Sequence, residues 1–212
     1  MSRKKLIASG ISHLKKSDPV MKKLINKAGP FAMKIQKAQS IYAALLRAIV
    51  YQQLHGKAAE TIFNRFQNIF DKNTFPDPAR VIKTPDAKLR SAGLSRAKLA
   101  AIKDLSKFQK ENKIPDIRAA SKLSDQALVE TLTQVKGIGP WTVDMLMIFK
   151  LGRLNIMPVT DYGVRNGFRI AYNKRMLPSP LALKKHSAAW NPYCSIAAWY
   201  LWRAADLRKS AK

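Results

Sequence analysis

The chain has 212 residues, with 39 Lys and Arg against 13 Asp and Glu, and a formal net charge of +26. That length, with 47% hydrophobic residues, is enough to bury a core as one large domain or two small lobes. The charge implies a polyanionic partner, because each phosphate contact releases a condensed counterion. A single cysteine, Cys194, excludes an intrachain disulfide and any four-Cys zinc or iron–sulfur site. No run approaches the roughly 18 apolar residues of a membrane span. The basic start, Met1-Ser2-Arg3-Lys4-Lys5, lacks a following apolar region, so no signal peptide is read and a cytoplasmic location is expected. His13, His55 and His186 are too scattered to suggest a metal site, and no cofactor is expected.

Lysines 15, 16, 22, 23, 27, 34 and 37 make the first forty residues a diffuse basic leading segment with a solvated face. Within it, Asp18-Pro19 opens a helix over 19–28, an N-cap followed by Pro at the first helical position. Ile41, Leu45, Leu46, Ile49 and Val50 recur at helical spacing and predict a helix over 40–54. Ile62, Phe63, Phe66, Ile69 and Phe70 predict one over 57–71. Asp77-Pro78 starts 78–83, and 86–92 follows. Ser95 caps 96–111, a short helix covers 116–120, and Ser124 caps 125–134. Further helices are predicted over 140–151 and 162–173. Ser179-Pro180 starts 180–187, and Asn191-Pro192 is read in the same way as the start of 192–208. No segment alternates with period two between turn residues, so the fold class is all-α.

One turn stands out. Leu128, Leu132 and Val135 form an apolar stripe ending at Lys136; Gly137-Ile138-Gly139 reverses the chain, and Pro140 begins the next helix. Glycines allow positive φ and close backbone approach, and outward amides at a helix start suit a phosphate. Ile138 can plug between the two helices, and Lys136 adds a point charge. Alone, Gly-x-Gly is most often a tight helix–helix turn. Between two helices, ahead of Pro140-Trp141-Thr142, in a chain this basic, it becomes a specific signal.

With these residues in place, Leu132 to Phe168 resembles the core of the helix-hairpin-helix DNA glycosylases, in particular the 3-methyladenine DNA glycosylase II group, which acts on alkylated bases. The resemblance continues in Ala48-Ile49-Val50-Tyr51-Gln52-Gln53-Leu54 and Ala92-Gly93-Leu94-Ser95-Arg96-Ala97-Lys98. It closes with Trp190-Asn191-Pro192-Tyr193 and Ala197 to Asp206, and so covers most of residues 40–206. It implies a two-lobed helical helix-hairpin-helix DNA glycosylase fold in its compact form, without the N-terminal β-domain of some members. The expected lobes are about 1–35 plus 150–212, and 36–149, with the hairpin over 128–150.

The resemblance also implies roles. Asp161 is the catalytic carboxylate that stabilises the positive charge developing on the sugar as an N-glycosidic bond breaks. Thr160 is read as the cap of the next helix, leaving Asp161 beside it. Asp144, in an apolar helix, is read as structural. Bifunctional relatives place a Schiff-base Lys where this chain has Trp141, and an indole cannot do that chemistry. A monofunctional enzyme that uses water and leaves an abasic site is therefore expected. Trp141, Trp199 and Tyr162 are assigned to a pocket for a flipped, cationic alkylpurine, and Trp190 and Trp202 to the core. Leu54 is the wedge that fills the gap left by the flipped base, Gln53 a neighbouring contact and His55 a minor-groove reader.

Lys136, Gly137, Ile138, Gly139 and Thr142 complete the DNA-binding set. Lys57, Arg96 and Lys98 are candidates for flanking phosphates. The carbonyls of Val135 and Gly137 are candidates for a monovalent cation, as in some relatives. Cys194 stands where the family favours Arg, which puts any contact of that Arg in doubt. The expected partner is double-stranded DNA containing alkylated bases, met by a monomer in the nucleoid of a bacterium or the nucleus of a eukaryote. A non-catalytic helix-hairpin-helix binding module and a glycosylase for a different base lesion remain as the other readings.

Overall fold

Side-chain caps fix where most helices begin. The computed structural model describes residues 1–36, 40–54, 56–70 and 75–210, and they form α1 (Arg3–Ser17), α2 (Pro19–Ala28), α3 (Ile41–Tyr51), α4 (Gly56–Asn68), α5 (Pro78–Lys83), α6 (Asp86–Arg90), α7 (Arg96–Lys110), α8 (Ile117–Lys122), α9 (Asp125–Leu132), α10 (Pro140–Phe149), α11 (Tyr162–Ala171), α12 (Pro180–Ser187), a 3-10 turn (Ala188–Trp190) and α13 (Cys194–Ser210). No strand occurs among the described residues. Asp18 accepts the amides of Val20 and Met21, Asp77 that of Arg80 and Ser179 that of Ala182, each one residue ahead of a Pro at the helix start. Ser95 and Ser124 cap α7 and α9 through Lys98 and Ala127.

Two elements depart from the sequence reading. The leading segment contains a 15-residue helix, α1, capped by Ser2. Its apolar stripe is narrow, with only Gly10 and Leu14 fully buried, and the lysines around it hid the period. At the other end, Asn191-Pro192 does not start a helix. It is a cis peptide in a turn, and α13 begins at Cys194. The Asn191 side chain instead donates to the Ala188 carbonyl and accepts from the Cys194 thiol, which closes that turn.

The chain divides into two compact units, Met1–Ile35 with Met147–Lys212, and Gln36–Leu146, and the boundary falls within α10. In the first unit α13 packs on α11, α2 and α1. Its core holds Leu14, Met21, Val164, Phe168, Leu183, Trp190, Ile196, Tyr200 and Leu201. At the centre of this core lies a buried carboxylate, Asp18. Its Oδ2 accepts from Tyr172 Oη at 2.5 Å, Trp190 Nε1 at 3.0 Å and His186 Nε2 at 3.2 Å, while Oδ1 caps α2. Burial pushes the Asp18 carboxyl up, but the hydrogen bonds from Tyr172, the Met21 amide, Trp190 and His186 outweigh it, so it sits below the usual carboxylate range.

In the second unit α3 is the central helix. Seven of its residues are buried, and it packs against α4 and α7. The Tyr42 hydroxyl meets Ser106 Oγ at 2.9 Å inside this core, and Ser106 donates to the Ile102 carbonyl, so neither hydroxyl is left without a partner.

Candidate active site

Asp161 belongs to the first unit, where the chain leaves a long loop and enters α11. That loop is pinned to the start of α13: Ser195 Oγ accepts the Ile156 amide at 2.9 Å and donates to the Ile156 carbonyl, while the Ser195 amide donates to Leu154. The next turn closes with the Asp161 amide on the Pro158 carbonyl. Asp161, and not Thr160, is the N-cap of α11. Its Oδ1 accepts the Val164 amide at 2.7 Å and the Trp202 indole N–H at 2.8 Å. Two donors on one oxygen fix the plane of the carboxylate, and the positive end of the α11 dipole faces it.

Trp202 is thus the indole at the carboxylate, a contact that sequence reasoning missed by placing it in the core. It is half-buried and stacks on Phe149, with ring centroids 5.5 Å apart. The signal was in α11. A Cβ on Gly163 would lie 2.8 Å from Trp202 Cδ1, and one on Gly167 would lie 1.9 Å from the Leu201 carbonyl oxygen. These two glycines let α13 cross close enough for the indole to reach Asp161. Trp199 packs edge-on to Phe31 at 4.9 Å, and the Arg203 guanidinium lies 5.6 Å over its ring. Tyr162, the first residue of α11, is 68% exposed. Cys194 is buried, its thiol pushed up to about 11 by burial, and it donates to Ser187 and Asn191 carbonyl oxygens.

The second unit carries the hairpin, α9 and α10 joined by a turn. Ile138 and Thr142 are buried, so Ile138 plugs the turn, while Lys136, Gly137, Gly139 and Trp141 are exposed. The Lys136 amide donates to Asp104 Oδ2 at 2.8 Å, and the Ile138 amide closes the turn on Val135. Among the described residues the amides of Gly137 and Gly139 make no hydrogen bond within the chain. The two glycines differ. Gly137 has φ 79, and a Cβ there would lie 2.9 Å from that of Ala101; a Cβ on Gly139 would meet nothing within 4 Å. The packing of the chain therefore explains Gly137 but gives no reason for a glycine at 139. The carbonyls named for a cation already accept protein hydrogen bonds, Val135 from Ile138 and Gly137 from Gln52 Nε2.

In the same unit a cavity of about 790 Å³ is lined by Tyr51, Gln52, Gln53, Leu54, Gly139, Trp141 and Met145, among others. Leu54 is 39% exposed and Trp141 is 42% exposed, both high for large apolar side chains. Gln53, at φ 56, ends α3 in the left-handed conformation that aims Leu54 outward. His55 lies outside the described residues. The Lys98 ammonium donates to the Val50 carbonyl at 2.6 Å and caps the C-terminal end of α3. Asp144, in α10, is half-buried, and burial, with a smaller push from Asp125, raises its carboxyl to about 6.

Comparison with known proteins places the chain in a family. The family described as HhH-GPD superfamily base excision DNA repair protein matches residues 46–192. DNA-3-methyladenine glycosylase 1 of Schizosaccharomyces pombe is 37% identical over 94% of this chain and 88% of its own length. The structure of a 3-methyladenine DNA glycosylase from that yeast, in complex with abasic DNA, superposes with a TM-score of 0.83 over 92% of this chain and 95% of that one. A DNA-3-methyladenine glycosidase from Bacillus halodurans, 28% identical, gives 0.84 over 95% and 91%. By family match and by close relatives alike, the chain belongs to the HhH-GPD superfamily of base excision DNA repair proteins.

Proposed function

We propose that this chain is a monofunctional DNA glycosylase that hydrolyses the N-glycosidic bond of alkylated purines of the 3-methyladenine and 7-methylguanine type, flipped out of duplex DNA, and leaves an abasic site. The observation that carries the reading is the doubly held Oδ1 of Asp161 at the start of α11. A carboxylate fixed in this way is set to stabilise an oxocarbenium-like sugar without reorganising during the reaction. Water supplies the hydroxyl, and the purine leaves carrying the bond electrons. An N3- or N7-alkylated purine is cationic, so it leaves readily. The exposed face of Trp141 would favour such a base by about 0.5–2 kcal/mol.

The glycine at 139 supports the second half of the proposal. Among the described residues nothing lies within 4 Å of where its Cβ would be, which leaves room for a phosphate to approach the Gly137 and Gly139 amides. Lys136 adds charge beside it. Relatives named as 3-methyladenine glycosylases support the choice of alkylated purine over other lesions.

The test is base release from methylated duplex DNA. Free 7-methylguanine and 3-methyladenine are expected, with strands intact until alkali cleaves the abasic sites. Strand nicking by the enzyme, or an enzyme–DNA adduct trapped by borohydride, would show a nucleophilic amine and contradict the monofunctional assignment.

A further inference from the structure

Two features of the second unit have to act on one duplex at a fixed separation: the turn that grips a phosphate and the residue that enters the base stack. A single side chain joins them. Gln52 Nε2 donates to the Gly137 carbonyl at 3.0 Å, so the residue directly after α3 is fastened to the hairpin turn. Both ends of that bond are otherwise held. On the hairpin side, Asp104 takes the Lys136 amide, and Gly137 is fixed at φ 79 against Ala101. On the α3 side, the Gln52 amide donates to Ala48, and Lys98 holds the Val50 carbonyl.

Beyond Gln52 the backbone turns sharply. Gln53 occupies a left-handed conformation without being glycine, and the Leu54 amide reaches the Tyr51 carbonyl only at 3.4 Å. The Gln52–Gly137 bond therefore ties the position of Leu54 to the hairpin. Gln52 and Leu54 line the same cavity as Gly139 and Trp141.

We propose that Gln52 is a positioning residue: by donating its side-chain amide to the Gly137 carbonyl, it sets the register between the Leu54 wedge and the phosphate-gripping turn. The proposal rests on reading Leu54 as the wedge and the glycine turn as the phosphate anchor. Gln52 does no chemistry. Its effect falls on the step in which the lesion is separated from its partner base.

The experiment uses Gln52→Met, close in size but without a donor, together with Leu54→Ala and the double variant. Single-turnover release of 7-methylguanine is measured from a duplex with the lesion paired to cytosine, and from the same duplex with the lesion opposite an abasic site, where there is no pair to break. Gln52→Met should slow release from the paired duplex by about five-fold, the size of one net hydrogen bond, and from the unpaired duplex by less than about two-fold. The double variant should fall no further than Leu54→Ala alone, because the two act as one unit.

Equal slowing on both substrates, or additive losses in the double variant, would overturn the proposal. Any misfolded fraction lowers both rates together and leaves their ratio unchanged. If Leu54→Ala does not affect the paired substrate, the wedge reading fails and the proposal fails with it. If Leu54→Ala loses activity on the paired duplex and Gln52→Met does not, the proposal about Gln52 alone is wrong.

Discussion

The Trp202 indole donates to Asp161 Oδ1 at 2.8 Å, on the same oxygen that caps α11 through Val164. The helix cap holds this oxygen from one side, and the indole adds a second donor from another. Hydrogen bonds to a charged group are worth about 1.5–3 kcal/mol. Trp202→Phe keeps the stacking on Phe149 but loses the donor. The expected result is a fall in the rate of base release of about ten-fold or more, with affinity for undamaged duplex little changed. An unchanged rate would mean that the cap alone sets the carboxylate.

The two hairpin glycines should separate folding from binding. Gly137→Ala meets both positive φ and Ala101, so it should lower stability by about 1–2 kcal/mol. Gly139→Ala has open space and an ordinary φ, so its melting temperature should match wild type while DNA affinity drops. Thermal melts and fluorescence anisotropy on duplex DNA make the comparison. Equal affinity for wild type and Gly139→Ala would remove the phosphate reading of that turn.

Asp18 organises the core of the first unit. Asp18→Asn keeps the shape but turns an amide N–H₂ toward the Tyr172, Trp190 and His186 donors, and a loss of about 2–3 kcal/mol is expected in urea unfolding. Because the folded carboxyl lies below its usual value, the stability it contributes is present above about pH 4 and is lost as pH falls through the lower folded value. The gap between wild type and Asp18→Asn should therefore narrow in strong acid.

Asp144 should show the opposite dependence. Its folded carboxyl sits at about 6 against a model-peptide value of 3.8, so the folded state holds the proton more tightly than the unfolded one. Wild-type stability should fall as pH rises from about 4 to 6 and then level off. Asp144→Asn removes that slope. At pH 7.5 the variant should be the more stable, by about 1–2 kcal/mol once solvent screening is allowed for, and the two proteins should converge below about pH 4. Melting temperature across this range is the measurement; parallel profiles would contradict it.

Local chemistry was legible in the sequence, and tertiary contact was not. Asp18, Asp77 and Ser179 could be read as caps because the cap and the following Pro are neighbours in the chain. Asn191-Pro192 has the same local signature, yet the side chain of Asn191 is used by Ala188 and Cys194 and no helix starts there. In α1, Gly10 looks like a break; a Cβ there would lie 2.6 Å from Ile196 Cδ1, so it is a packing contact with α13. Leu54 and Trp141, assigned by their motifs to the wedge and the base pocket, are both exposed. The pairing of Trp202 with Asp161 depends on how closely α13 crosses α11, and only Gly163 and Gly167 hinted at it.

The proposed role of Asp161 is checked by single-turnover release of 7-methylguanine from methylated duplex by wild type and by Asp161→Asn. Asn can still accept the Val164 amide and the Trp202 indole N–H through its Oδ1, so α11 and the fold should persist. Release at least about 100-fold slower is expected, with duplex affinity within about three-fold of wild type, since a neutral amide adds no repulsion to the phosphates. An Asn variant that releases base at the wild-type rate would contradict the assignment of Asp161 and the mechanism built on it.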